Sequence, residues 1–291
     1  MAHSIWIPSI QQFVKFDAFT TGDQLALAKA VELELTKTTG DFDNHFVDML
    51  DVKVRQPIDI SSLTVLDKLL ISIQFAINYV SHVINRTYHC PVCEESTVNR
   101  IQAASVYQQL QKYIDRTYKT CVKHGRMTVD FDVMSLGKQL VFDAATADGD
   151  RIIANDIEPL AWIENIHLNE QSISVKHLDV QQMKSVCKML PNSVVAQAKS
   201  MIAFHRTPKK IATLKCGKCN NTEAVNFSIE YVNDIVVALL QLNASMIYDE
   251  LFKLKTNNAI GSISDGMLLA PNERMVFLKM LQANEPKPDN R

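Results

Sequence analysis

Two cysteine pairs are the residues best placed to do chemistry: Cys90-Pro91-Val92-Cys93 and Cys216-Gly217-Lys218-Cys219. A C-x-x-C turn aims two thiols at one point, and two such turns supply the four soft ligands that zinc takes tetrahedrally. Each pair then runs through polar turn residues into strand-like sequence holding Val-Asn, "CPVCEESTVNRI" and "CGKCNNTEAVNF", so the halves repeat one knuckle-and-strand unit. The spacing predicts a structural zinc site on Cys90, Cys93, Cys216 and Cys219, with residues 94–215 inserted between the two halves of a ribbon. Four thiolates close such a site and leave no position for substrate, so the metal argues against catalysis.

Three other chemistries compete for these residues. A thioredoxin-type redox pair wants its C-x-x-C opening a helix after a strand, whereas strand-like sequence follows here. A local site on Cys90, Cys93, Cys121 and His124 has acceptable zinc spacing but leaves Cys216 and Cys219 without a role. Packed free thiols fit poorly with Pro and Gly at the turn positions. Outside the cysteines, no H-E-x-x-H, P-loop, dinucleotide-binding or G-x-S-x-G pattern occurs, and "TADGD" at 146–150 lacks the ligand pattern of a calcium loop, leaving a turn. No catalytic residue and no bound cofactor besides zinc is expected.

Composition sets the scale of the elements that must hold the knuckles. The chain has 291 residues, 47% hydrophobic and 21% charged, enough for one large or two small domains with a real core. Net charge is −2 and the pI about 6.4, so no broad basic field recruits nucleic acid or an anionic membrane. The densest basic spot is Arg206, Lys209, Lys210 and Lys215, beside the second knuckle. The opening "MAHSIWIPSIQQF" lacks a charged region followed by an apolar run, and no uninterrupted apolar stretch reaches the roughly 18 residues of a membrane span, which predicts synthesis in the cytosol. Six cysteines in a reducing compartment then favour metal or free thiols over disulfides.

Periodicity predicts a helix from Thr20 or Thr21, with Leu25, Ala28, Leu33 and Leu35 inward, and a buried, all-round apolar helix over 59–84. Strands are expected over 96–106 and 125–133, the latter paired as a hairpin with 138–145, followed by a short strand and two helices divided at Pro191. A strand, the second knuckle and another strand precede helical sequence from Glu230, a break at 261–266, a last helix from Pro271 and a frayed tail. The apolar helices 59–84 and 231–254 either pack on each other or leave surface for a partner. The fold class is therefore α+β: helical N- and C-terminal parts around a split zinc ribbon with an inserted α/β section. The units are 1–88, helical; 89–125, first ribbon half with the following strand and helix; 126–206, inserted α/β; 207–230, second ribbon half; 231–282, helical; and 283–291, a disordered tail.

Five segments carry a family resemblance: "FDAFTTGDQLALAKA", the C-P-x-C knuckle after a buried helix, "WIENIHL", "MLPNSVVAQAKSMIAFH" before the second C-x-x-C, and the closing "APNERMVFLKML". Their order resembles the T4-type bacteriophage baseplate hub subunits and hub-assembly chaperones over most of the chain. That resemblance implies a non-enzymatic tail protein, with Cys90, Cys93, Cys216 and Cys219 as structural elements. It would contact other hub proteins, or the tape-measure protein, in the host cytoplasm, and either stay in the virion or leave after assembly. Small-molecule substrates and membranes have no place in that role. The rival is a nucleic-acid-binding zinc-ribbon accessory protein for transcription or replication, using Arg206, Lys209, Lys210, Lys215 and Lys218 with Phe204. A third reading, an enzyme with Cys121 or a C-x-x-C as nucleophile, requires a thiol pKa well below the free value.

Overall fold

The chain opens on an antiparallel hairpin, β1 (His3–Ile7) and β2 (Gln12–Phe16), which buries Ile5, Ile7, Val14 and Phe16. The hairpin departs from the expectation that residues 1–88 are helical. The computed structural model describes residues 2–36, 41–114, 120–147, 157–169, 171–175 and 178–284. The expected tail from 285 onward, and residues 148–150 of the expected acidic turn, lie outside these; 146–147 end a helix.

Helix α1 (Thr21–Thr36) starts where its cap demands: Thr20 Oγ1 accepts from Asp23 N at 3.3 Å and Asp23 Oδ2 accepts from Thr20 N at 2.7 Å. Its inward residues include Leu25, Leu27, Ala28 and Ala30, whereas Leu33 is exposed, contrary to expectation. Helix α2 (Asp41–Lys53) leads to α3 (Val65–Phe75), which is buried on all sides as its composition requires. Thr64 and Asp67 form a second reciprocal cap there, and Asp67 Oδ1 also accepts from Ser9 N at 3.4 Å, fastening the first hairpin to the central helix. The helical run expected to 84 ends at Val80; β3 (Val83–His89) takes over and pairs with β4 (Ser96–Gln102). Residues 103–106, expected as strand, instead open α4 (Ala103–Ile114).

The middle of the chain forms a separate four-stranded antiparallel sheet in chain order: β5 (Thr120–His124), β6 (Met127–Phe131), β7 (Ile163–Leu168) and β8 (Gln171–Ser174). Residues 138–145 do not form the expected hairpin with β6. They lie in α5 (Leu136–Ala147), where Ser135 Oγ accepts from Lys138 N at 3.3 Å, while β5 and β7 occupy both edges of β6. A helical segment over 157–161 (α6), α7 (Val180–Met189) and α8 (Asn192–Arg206) cover the sheet, building a second core around Val129, Phe131, Leu160, Ile163 and Val194. Pro191 is the N-cap of α8 and not its first residue.

The chain then returns through β9 (Lys209–Lys215) and β10 (Thr222–Phe227) to α9 (Val232–Leu240), α10 (Ala244–Thr256), α11 (Ile263–Leu268) and α12 (Pro271–Asn284). The stretch 229–256 has the length and apolarity of a membrane span, but it is not one helix here. Gln241 adopts φ 53°, in the left-handed region, and Asn243 Oδ1 restarts the helix by accepting from Met246 N at 2.8 Å. Helix α9 packs on α3, so the two apolar helices do shield each other. The break expected at 261–266 is partly helical, because Ser262 caps α11. The fold is thus mixed helix and antiparallel sheet, of the α+β class.

Candidate metal centre

Both knuckles are the six-residue tips of hairpins, Cys90–Glu95 joining β3 to β4 and Cys216–Asn221 joining β9 to β10. Their backbones match bond for bond. Cys90 O accepts from Glu94 N at 2.9 Å and Cys90 N donates to Glu95 O at 2.9 Å; Cys216 O accepts from Asn220 N at 3.2 Å and Cys216 N donates to Asn221 O at 2.8 Å. Closing so tight a loop forces its fifth residue into the left-handed region, with φ 57° at Glu94 and 60° at Asn220. Asn tolerates that region, whereas Glu is held there by the surrounding bonds. Glu94→Val is therefore expected to cost about 2 kcal/mol in urea denaturation, with Glu94→Gly close to neutral. Equal effects of the two would show that the loop does not hold this geometry.

The repeated loop aims the same amides at equivalent sulfurs. Cys90 Sγ receives the N–H groups of Val92 and Cys93, Cys216 Sγ those of Lys218 and Cys219, Cys93 that of Glu95, and Cys219 that of Asn221. Side chains then lock one hairpin to the other. Asn99 Oδ1 accepts from Lys215 N at 2.8 Å, its Nδ2 donates to Lys215 O at 3.1 Å, and Gly217 N donates to Thr97 Oγ1 at 3.0 Å. Asn221 Nδ2 donates to Tyr88 Oη at 2.8 Å, and Tyr88 and Leu214 pack beneath the sulfurs.

The result is four sulfurs around one point. Cys90–Cys219, Cys93–Cys216 and Cys93–Cys219 are 3.4, 3.5 and 3.5 Å apart, and all four sulfurs lie within 4.8 Å of one another. A tetrahedron with metal–sulfur bonds of about 2.3 Å has edges of about 3.8 Å, so this cluster fits a soft, four-coordinate metal. Burial raises the Cys90 thiol, but the amides of Val92 and Cys93 and the neighbouring thiols outweigh it and bring the group down to about 6. Cys216 is lowered in the same way, chiefly by the Cys219 amide. Cys93 and Cys219 go the other way: the Glu95 and Asn221 amides favour their thiolates, but burial and neighbouring sulfurs, Cys90 and Cys216 at both, push the two thiols up. A dication would relieve that repulsion and release the remaining protons.

The other candidates fall elsewhere. Cys121 and His124 lie on β5, where His124 Nδ1 bonds Ser193 Oγ at 2.9 Å, and neither joins the thiol cluster. Desolvation and the adjacent Asp130 carboxylate push the Cys121 thiol up, opposite to what a nucleophile needs. Arg206 is engaged by Glu158 and by Glu230 at 2.9 Å, which takes it out of the expected basic patch.

Sequence reading passed over a buried polar knot. Lys68, 1% exposed, donates to Asp43 Oδ1 and to Asn233 Oδ1 at 2.5 Å, and Asn233 Nδ2 donates to Asp43 Oδ2 at 3.1 Å. The Lys68 ammonium also lies over the rings of Phe42 and Phe46, 4.7 and 5.1 Å from their centroids. The available signal was a lone Asp-Lys pair inside the otherwise apolar "VLDKLLISIQF".

Two further groups, buried His205 and half-buried Asp143, tilt stability with pH in opposite directions. Burial, and then Lys209, bring His205 down to about 4. The unfolded chain takes up that proton first, near its ordinary pKa of about 6.5, so stability is lost as pH falls from there towards 4. Burial holds the Asp143 carboxyl up at about 6, so here the folded chain binds the proton first and the contribution is lost as pH rises through 6. The two nearly cancel. Asp143→Asn removes the second and is expected to lose about 1 to 2 kcal/mol more than the parent between pH 7 and pH 5 in urea denaturation. A profile parallel to the parent's would contradict it.

Comparison with known proteins supplies the remaining fact. A family model described as "T4 bacteriophage base plate protein" matches residues 2–236, a span that holds both hairpins and the inserted sheet. No curated protein and no solved structure shows a significant match.

Proposed function

Because the chain belongs to the T4 bacteriophage base plate protein family, we propose that it is a non-enzymatic hub component, either a hub subunit or a chaperone for hub or tape-measure proteins. The observation that carries this reading is the thiol cluster within a base plate family member: two hairpins far apart in sequence bring four sulfurs within 4.8 Å of one another. In the proposal Cys90, Cys93, Cys216 and Cys219 hold one structural zinc ion, and the hairpins form a split ribbon between helical parts, with the α/β section inserted. Zinc supplies cross-linking and not chemistry. The units proposed from sequence are kept with their boundaries moved: β3 goes to the ribbon, β5 joins the inserted section whose sheet it shares, and the C-terminal helical part runs to Asn284.

Exposed apolar residues support a docking role. Helices α11 and α12 both pack on α10, and Phe252 on α10, Leu268 on α11, and Val276 and Met280 on α12 are exposed, apolar area that this reading assigns to a partner. Work of this kind takes place in the infected host during assembly, with the protein then retained or released. The test is affinity purification of tagged protein from infected cells with mass spectrometry of the co-purifying chains. Hub or tape-measure proteins at near-stoichiometric levels support the proposal; polymerase subunits, nucleic acid or nothing at all overturns it.

A further inference from the structure

A cleft of about 600 Å³ opens between the end of α4, the end of α8 and the start of β9, lined among others by Lys112, Tyr113, Phe204, Pro208, Lys209 and Lys210. Its floor is aromatic and fixed from below. Tyr113 stacks on Phe204 with centroids 6.2 Å apart, meets Phe227 edge-on, and its hydroxyl bonds His205 Nδ1 at 2.8 Å. Phe204 is 48% exposed, so the floor offers apolar area at the cleft. Lys209 Nζ stands 4.4 Å above the Phe204 centroid and 5.9 Å from that of Tyr113, a cation held by ring faces. Lys112 and Lys210 are exposed and have no carboxylate partner among the described residues.

Three lysines, Lys112, Lys209 and Lys210, thus line one cleft. Neighbouring Arg206 is paired with Glu158 and Glu230, and Lys53 with Asp23 at 2.6 Å, in a chain whose net charge is −2. We propose that this cleft docks an acidic segment of a partner protein, its carboxylates meeting Lys112, Lys209 and Lys210 and an apolar side chain resting on the Phe204–Tyr113 floor. Charge complementarity decides the sign of the partner, and the aromatic floor decides that charge is not its only feature. A nucleic acid suits the site less well. With a net charge of −2 the chain has no broad basic field to follow a phosphate backbone, and these lysines line a single cleft.

The inference gives the proposed docking role a surface and rests on that reading, but it is tested on the isolated chain. It can therefore fail while hub proteins still co-purify. The probes are a short fluorescein-labelled peptide alternating glutamate with phenylalanine, the same peptide with lysine in place of glutamate, and labelled single-stranded oligothymidylate. The acidic peptide is expected to bind, to weaken as salt is added, and to lose at least about tenfold in affinity in the Lys112→Glu/Lys210→Glu protein. Lys188→Glu, an exposed change on α7, should leave its binding unchanged. The proposal is overturned if the double variant binds the acidic peptide like the parent, if the basic peptide binds equally well, or if oligothymidylate binds more tightly with the same lysine dependence. It is also overturned if the parent self-associates through these lysines, which would make a second copy the occupant.

Discussion

Replacing Cys216 with serine is expected to release the metal and lower the melting temperature by about 10 °C, with Cys121→Ser leaving both unchanged. The size follows from linkage: an ion bound only by the folded chain and present at about a thousandfold over its Kd stabilises by about 4 kcal/mol. A domain of this size loses roughly 2–4 °C per kcal/mol. Cys216 is the ligand to remove because its sulfur is fully buried and receives the Lys218 and Cys219 amides, so a poorer donor is left facing three sulfurs with no other way to be satisfied. The damage should localise. The two hairpins share only a small core of their own, around Tyr88 and Leu214, whereas the helical core is large and independent of the sulfurs. Calorimetry with zinc analysis checks this. A Cys216→Ser protein that keeps its zinc and its melting temperature would contradict it.

Lys68→Met should cost about 3–5 kcal/mol, the penalty of leaving a buried carboxylate without its cation. Asp43 is nearly inaccessible to water and, among the described residues, would keep the Asn233 amide Nδ2, at 3.1 Å, as its side-chain partner. Removing both charges, Lys68→Met with Asp43→Leu, is expected to recover most of that loss, because a buried ion pair is often worth little more than well-packed apolar groups. The pair would then serve register more than stability, since it ties α2, α3 and α9 at a single point in an otherwise unspecific apolar contact. Denaturant titration of the two single variants and the double measures the coupling. Additive losses would show that the ammonium and carboxylate do not depend on each other.

How much of this was legible in sequence depended on how local each signal was. The two knuckles, the Thr20 cap, the burial of α3 and the strands on either side of Cys216–Asn221 are written in adjacent residues, although α3 starts at Val65 and the helical run ends at Val80, inside the expected 59–84. Strand β3 was lost because its Val83 and Ile84 continue the apolar run of the helix before it. The stretch 138–145 looked like a strand because Leu140, Val141 and Phe142 are good strand formers. Ser135 caps a helix there instead, and β6 already has a neighbour on each edge. Strand β5 left almost no pattern, since most of its side chains are exposed and no apolar alternation marks it. The knot of Asp43, Lys68 and Asn233 joins residues remote in the chain, and only tertiary packing brings them together.

The claim on which the account turns is that one metal joins the two hairpins through four thiolates. X-ray absorption at the zinc edge of the purified protein tests it most directly. The account predicts one shell of four sulfur atoms at about 2.3 Å with no nitrogen or oxygen in it. A shell containing nitrogen or oxygen, or protein that carries no zinc at the edge, would contradict it.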